Sequence, residues 1–238
     1  MFPDNLVDRD GDGNRDPGID PLSPAAGYAR ADLRAALAGW SPPSSPPSYL
    51  YSNLGLGLAG LAIQDHLGLP SHHAVLRRLV TEDLAMLDTW GEVAAIPTEA
   101  RPRLADGHTV EGAARVVGIP GQMGVLASAG EIVTSGRDLR LLLRALVGID
   151  PSPLDPAIVR ATTPLAAGPE GRQMGYAVEI DESAGLVRYR KAGATSSFGA
   201  YLMWSTEPPA GVAVLTNCGG FSAVVGLAEA LHDAARDL

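Results

Sequence analysis

The sequence holds a single cysteine, Cys218, and a single lysine, Lys191, among its 238 residues. One thiol allows neither an intrachain disulfide nor a cysteine-built zinc site. Cys218 itself reads as a small buried apolar residue rather than a reactive thiol. One lysine means that no Ser-x-x-Lys exists, because the residue three before Lys191 is Arg188. A Gly-x-Ser-x-Gly elbow is absent as well. Basic side chains are few: 18 Lys and Arg stand against 27 Asp and Glu, for a net charge of -9. No basic stripe is visible, which excludes a nucleic-acid partner. Long apolar runs are also missing. The longest, residues 54 to 63, is too short to span a bilayer. The start of the chain has no basic patch followed by an apolar run, so no secretory signal is read there. His66, His72, His73, His108 and His232 show no metal-ligand spacing and read as surface or helix-end residues. Neither a metal nor another cofactor is expected.

What is present is an ordinary globular balance, 46% hydrophobic and 19% charged, enough for a sizeable core. Residues 1 to 25 read as an acidic loop. Within it, Asp8-Arg9-Asp10-Gly11-Asp12-Gly13-Asn14-Arg15-Asp16 resembles a calcium loop. Position twelve of that loop is Ile19 where a bidentate glutamate belongs, so a solvated acidic loop is the competing description.

Residues 26 to 165 read as mainly helical. Leu33, Leu37 and Trp40 mark a first helix, and Ser41 to Ser48 form a proline-rich connector. Residues 54 to 67, ended by Gly68, read as a helix apolar on most sides and so buried in the core. Ser71 can cap a shorter helix carrying Val75, Leu76, Leu79 and Val80. Residues 96 to 122 look irregular. Ser135 with Asp138 has the form of a capping box, followed by Leu139, Leu142, Leu143 and Leu146 on one face.

From residue 166 to 238 the period changes to two. Tyr176, Val178 and Ile180 alternate, as do Val187 and Tyr189, with a hairpin over residues 181 to 185. Residues 199 to 204 and 211 to 216 read as further strands, the latter buried on both faces. A final helix carries Val224, Val225, Ala228 and Leu231, with Ser222 as its cap. Helices, then consecutive antiparallel strands, then one helix describe an α+β fold with helices packed on a sheet.

Two segments can carry chemistry. In Tyr51-Ser52-Asn53, a phenol and an amide stand two apart at the entrance to a rigid helix. Taken alone, this describes a helix-start turn with a packed aromatic. The phenol can move protons beside a cation, and the amide can bind an amide substrate. In the second segment, Lys191-Ala192-Gly193-Ala194-Thr195, a lysine ends a strand and small residues follow. Glycine lets a ligand approach the backbone. Backbone N–H groups here can form an oxyanion hole.

Together these segments resemble the second and third motifs of class C β-lactamases and D-alanyl-D-alanine carboxypeptidases: Tyr-x-Asn, then Lys-Thr-Gly continuing as Ala-Thr-x-x-Phe-Gly-x-Tyr. The matching residues are Tyr51, Asn53, Lys191, Gly193, Ala194, Thr195, Phe198, Gly199 and Tyr201. Residues 84 to 89 are similar to the family's Pro-Leu-Gly-Met-x-x-Thr turn. Residues 127 to 139 are similar to its Gly-Gly-x-x-Ser-Thr-x-x-Asp-Leu helix start, and residues 212 to 217 to its final strand.

The resemblance implies a β-lactamase/transpeptidase-like fold with a helical subdomain, here a single incomplete domain over residues 1 to 238. Its first strands and nucleophile helix would be missing, most simply because the chain is a truncated reading of a longer gene. It implies a serine hydrolase acting on a small-molecule amide or ester through an acyl-serine. Tyr51 would be the proton-transfer phenol and Lys191 would position it and the substrate anion. Asn53 would hold the substrate amide. Ala194, beside Gly193, would give one N–H of the oxyanion hole. Without Ser-x-x-Lys these residues alone are expected to be inactive, which leaves a non-catalytic ligand-binding relative as the alternative. Ala192 replaces the usual threonine, which removes a hydroxyl for a substrate carboxylate and leaves room for an esterase or peptidase relative beside a true β-lactamase. A periplasmic or extracellular location also follows from the resemblance. The missing strands would leave an open sheet edge through which the chain could self-associate.

Overall fold

The computed structural model describes residues 6, 9–10, 14, 16–19, 23–41, 49–108, 122–183, 185–195, 197–219 and 222–237, with backbone alone for 222 and 223. The chain forms two compact units. One comprises residues 1–78, 90–104 and 118–133, the other residues 79–89, 105–117 and 134–238.

In the first unit, helix α1 (Arg30–Ala38) begins where the Asp32 carboxylate accepts the Ala29 N–H at 2.7 Å. Helix α2 (Asn53–Leu67) is capped by Ser52, whose Oγ accepts the Gly55 N–H at 2.9 Å. It stops at Gly68, in the left-handed conformation at φ 63°. Leu54, Leu58 and Leu61 recur along one face of α2 and pack on a cluster of Leu6, Ala25, Tyr28, Leu33 and Leu126. Leu126 is completely buried, a contribution of roughly 2 kcal/mol. It lies in the short 3-10 segment Gly124–Ala129. A methyl group at Gly57 would overlap Leu126, and one at Gly60 would overlap Ser128. The two glycines therefore let the helix backbone come close enough for Ser128 Oγ to donate to the Leu56 carbonyl at 2.9 Å. Burial of α2 is confined to this face. Ile63 is 43% exposed, so the expectation of a helix buried on most sides is corrected.

Helix α3 (His72–Leu76) starts at the Ser71 cap and runs into a π-helical turn, Arg77–Thr81. The following residues end in a Schellman arrangement: Met86 N donates to the Thr81 carbonyl and Ala85 N to the Glu82 carbonyl. Ala85 takes the left-handed position, φ 53°, where the family pattern carries glycine. Strands β1 (Thr89–Trp90) and β2 (Val133–Thr134) form a two-stranded sheet.

The second unit contains helices α4 (Gly136–Val147), α5 (Asp155–Ala161) and α6 (Ser222–Arg236) with a six-stranded antiparallel sheet. Its strands are β3 (Ala166–Ala167), β4 (Gln173–Met174), β5 (Glu179–Ser183), β6 (Leu186–Ala194), β7 (Gly199–Thr206) and β8 (Pro209–Thr216), in spatial order of sequence. Alternation sorts their side chains. Tyr201, Met203, Ala192, Val212 and Val214 share a cluster with Val224 and Ala228 of α6. Tyr189, Leu202, Trp204 and Ala213 share one with Leu143 and Val147 of α4. Tyr189 and Trp204 stack with ring centroids 5.5 Å apart.

Several expectations need correction. Tyr176 is not in a strand. Gly175 N donates to the Val178 carbonyl, closing a turn, and β5 starts at Glu179. The β8 segment is not buried on both faces. It is the last strand in the sheet order among the described residues, and its Leu215 is 46% exposed. Ser135 Oγ does cap α4, accepting the Asp138 N–H at 3.2 Å. The Asp138 carboxylate, however, completes no capping box. It accepts from Asp88 N at 2.7 Å and from Thr89 Oγ1 at 2.8 Å. Leu231 of α6 is exposed, and His232 takes the buried position on that helix. The Ser222 side chain, residues 42–48 and residues 109–121 lie outside the described residues, as does most of the acidic segment 8–16. Of that segment, Asp16 accepts the Arg9 N–H at 2.9 Å.

Candidate active site

The first candidate segment is built by the start of α2. Ser52 is extended, at φ -147° and ψ 109°, because its hydroxyl turns back to Gly55 N. This puts Tyr51 and Asn53 on either side of the cap. The Tyr51 hydroxyl donates to Asn53 Oδ1 at 3.2 Å, and the ring is half exposed. The phenol and the amide thus meet, and the Asn53 amide keeps its N–H groups as donors.

The second segment ends β6. Lys191 pairs with Leu202 of β7 and lies on the face that Tyr189 and Leu202 share. Its Nζ donates to the Ala192 carbonyl at 3.0 Å. Burial draws the ammonium pKa below the ordinary lysine value, while the charge of Glu179 works in the opposite direction. Gly193 and Ala194 pair with Ala200 and Gly199. A side chain at Gly193 would meet no described atom within 4 Å, so the backbone there is open to an approaching molecule. The Ala192 methyl packs in the apolar cluster with Tyr201 and Val224. A threonine hydroxyl at that position would need a hydrogen-bond partner among apolar neighbours.

Beyond Ala194, Thr195 holds the turn into β7. Its Oγ1 accepts Phe198 N at 3.1 Å, and its N–H donates to the Phe198 carbonyl at 2.9 Å. Residues 106 to 108 lie beside this turn. His108 N donates to the Asn217 carbonyl at 2.8 Å, and the Asn217 side chain donates to the Asp106 carbonyl at 2.9 Å. A methyl at Gly107 would come within 2.5 Å of the Phe198 ring. The irregular pattern of residues 96 to 122 conceals this tie in the sequence. The asparagine ending the last strand is the only hint of it there.

Two further carboxylates matter to the framework. Glu131 is buried and accepts Val93 N at 3.0 Å and Met123 N at 2.8 Å. Burial raises its pKa above the ordinary glutamate value, more than the two N–H bonds lower it. Asp138, described above, anchors the start of α4 in the other unit.

Tyr51 and Asn53 belong to the first unit, and Lys191, Gly193 and Ala194 to the second. A cavity of about 200 Å³ in the first unit is lined by Gln64, His72, Glu92 and Ser128 among others, and neither Tyr51 nor Asn53 lines it. It is therefore distinct from the motif residues. Cys218 is exposed, not buried as expected, because it follows the end of β8 in a stretch that meets His108 through backbone alone. His232 is completely buried, contrary to its reading as a surface residue. Among the described residues, no three His, Cys, Asp or Glu side chains are grouped to hold a metal ion. No helix among them is long and apolar enough to cross a membrane.

The family model described as Beta-lactamase matches residues 6–236. No curated protein matches. Among solved structures, a class C β-lactamase from Rhodobacter sphaeroides is 21% identical, with a TM-score of 0.70 over 91% of this chain and 67% of its own. A D-alanine carboxypeptidase from Burkholderia cenocepacia is 21% identical, with a TM-score of 0.71 over 87% of this chain and 67% of its own. A β-lactamase/D-alanine carboxypeptidase from Pseudomonas syringae is 19% identical, with a TM-score of 0.68 over 79% of this chain and 60% of its own. The chain thus spans 60% to 67% of the length of these relatives. The fold is the β-lactamase/transpeptidase-like one that the motifs led us to expect.

Proposed function

The chain belongs to the beta-lactamase family, and we propose that it supplies the substrate-binding side of a serine-hydrolase site for a small amide or ester. Residues 1–238 then form one incomplete domain of that family. The observation that carries this reading is the pair of motifs, Tyr51 bonded to Asn53 at the head of α2 and Lys191-x-Gly193-Ala194 at the end of β6. In this reading Tyr51 passes the proton between nucleophile and leaving group, and Lys191 binds the substrate anion. Asn53 binds the substrate amide, and the Ala194 N–H is one half of the oxyanion hole.

The acyl-serine chemistry of such a site needs a serine activated by a lysine three residues later. No such pair lies within these residues, so the nucleophile must come from outside them. The same observation favours a second reading, a ligand-binding relative that forms no covalent intermediate.

Intact-mass spectrometry after incubation with a penicillin and with a p-nitrophenyl ester tests the proposal. The chain should gain no stable acyl group. Equilibrium binding of the same compounds should weaken at least tenfold in Lys191→Ala and in Asn53→Ala. A stable acyl adduct, or binding indifferent to both substitutions, would overturn the assignment of roles.

A further inference from the structure

The second unit buries a histidine that plays no part in the proposed chemistry. His232 lies on the sheet-facing side of α6, one turn beyond Ala228, and both it and Ser205 of β7 are completely buried. The Ser205 hydroxyl donates to the Pro208 carbonyl at 2.7 Å. Its proton is thereby committed, so the 3.2 Å contact between Ser205 Oγ and His232 Nε2 requires the histidine to donate. That fixes the neutral tautomer with the proton on Nε2. Nδ1 is buried, with no hydrogen-bond partner among the described residues.

Protonation would add an N–H at Nδ1. The nearest carboxylate, Asp233, is 3.9 Å away. Asp233 already faces two guanidinium groups, Arg188 of β6 at 3.2 Å and Arg236 of α6 at 3.7 Å. The other charges along this seam are Glu229 of α6 and Arg190 of β6, 3.5 Å apart, with Glu179 of β5 beyond Arg190. Ser205 is the polar side chain that β7 turns to the ring. Asp233 would favour an imidazolium, but its charge is shared with two guanidinium groups, and the cost of burying the ion outweighs what it offers.

We propose that His232 is an acid-sensitive latch: neutral, it holds α6 on the sheet through Ser205, and protonated, it lets α6 leave. Burial and the charges of Arg188 and Arg236 lower its pKa from the ordinary value of 6.5 by more than Asp233 raises it, so the docked helix resists protonation. In the open helix the ring takes up a proton at the ordinary value. Docking is thus fully favoured above that value and weakens as pH falls towards the depressed one, by up to about tenfold per pH unit for one proton.

Amide hydrogen exchange of the whole chain, corrected for intrinsic rates, tests this between about pH 7.5 and about pH 5.5. Protection of α6 should fall several-fold, by up to about tenfold, across that range while β6 and β7 hold theirs. With α6 docked in most molecules, the His232 ring should titrate at the low-pH end of that loss, below the ordinary histidine value. His232→Gln keeps a side-chain N–H for Ser205 and cannot charge, so its α6 protection should be independent of pH. Constant α6 protection in the unsubstituted chain would overturn the latch. So would an equal loss in His232→Gln. Should that variant not fold, a His232 ring that titrates at or above the ordinary histidine value in the unsubstituted chain would overturn it as well.

Discussion

Asp138 Oδ2 accepts a 2.8 Å hydrogen bond from the hydroxyl of Thr89, 49 residues earlier in the chain. The same oxygen accepts the Asp88 N–H at 2.7 Å, and the Thr89 hydroxyl lies 2.7 Å from that of Thr134. One buried carboxylate therefore joins the turn after residue 84 to the start of α4. The two stretches that resemble separate family motifs are two ends of a single interaction.

Removing that carboxylate strands two donors away from water. Asp138→Ala should lower unfolding stability by about 3 kcal/mol, because hydrogen bonds to a charged group are lost and the donors stay unsatisfied. Thr89→Val should cost about 1 kcal/mol, and the double variant should cost less than the sum, because both changes remove one network. Urea unfolding measures all three. Full additivity would show that the two residues stabilise the fold independently.

Ala85 occupies a left-handed position at φ 53°, which is sterically costly for any residue with a Cβ. Ala85→Gly should raise stability by about 1 kcal/mol despite the greater freedom of glycine in the unfolded chain. Thermal unfolding checks it, and a lower melting temperature would mean that the turn relaxes around alanine.

Glu131 should leave a signature in the pH dependence of stability. Its folded pKa is raised by burial, so the native state keeps a proton that the unfolded chain has already released. The stabilisation this gives is complete below the ordinary glutamate value and is lost as pH rises through the raised one. The difference in stability between the unsubstituted chain and Glu131→Gln should therefore shrink with rising pH over that window. Denaturant titrations at several pH values measure it, and a difference that grows with pH would contradict the sign.

The sequence was most legible where one residue type serves one local purpose. Ser71 and Ser135 cap helices as their positions suggested. The alternation in β6 and β7 sorted side chains onto two faces. The sequence was least legible where a residue's role depends on distant partners. Asp138 reads as a local cap until Thr89 is seen beside it. His232 looks like a polar helix-end residue until Ser205 is seen opposite. The apolar composition of α2 exaggerated its burial, because composition cannot say how much neighbouring structure is present to cover a helix. Of the candidate site, the sequence placed Tyr51 and Asn53 at the entrance to α2 but gave no sign of the bond between them. The packing of Ala192 among apolar residues was equally hidden, since it depends on α6.

The two glycines in α2 limit how that helix can move along its own axis. Advancing it by one turn would carry larger side chains into the gaps at Gly57 and Gly60 that now admit Leu126 and Ser128. The helix is indexed like a key in its wards. The height at which Tyr51 and Asn53 are presented is therefore set from the opposite side of the helix, by residues with no chemical role of their own.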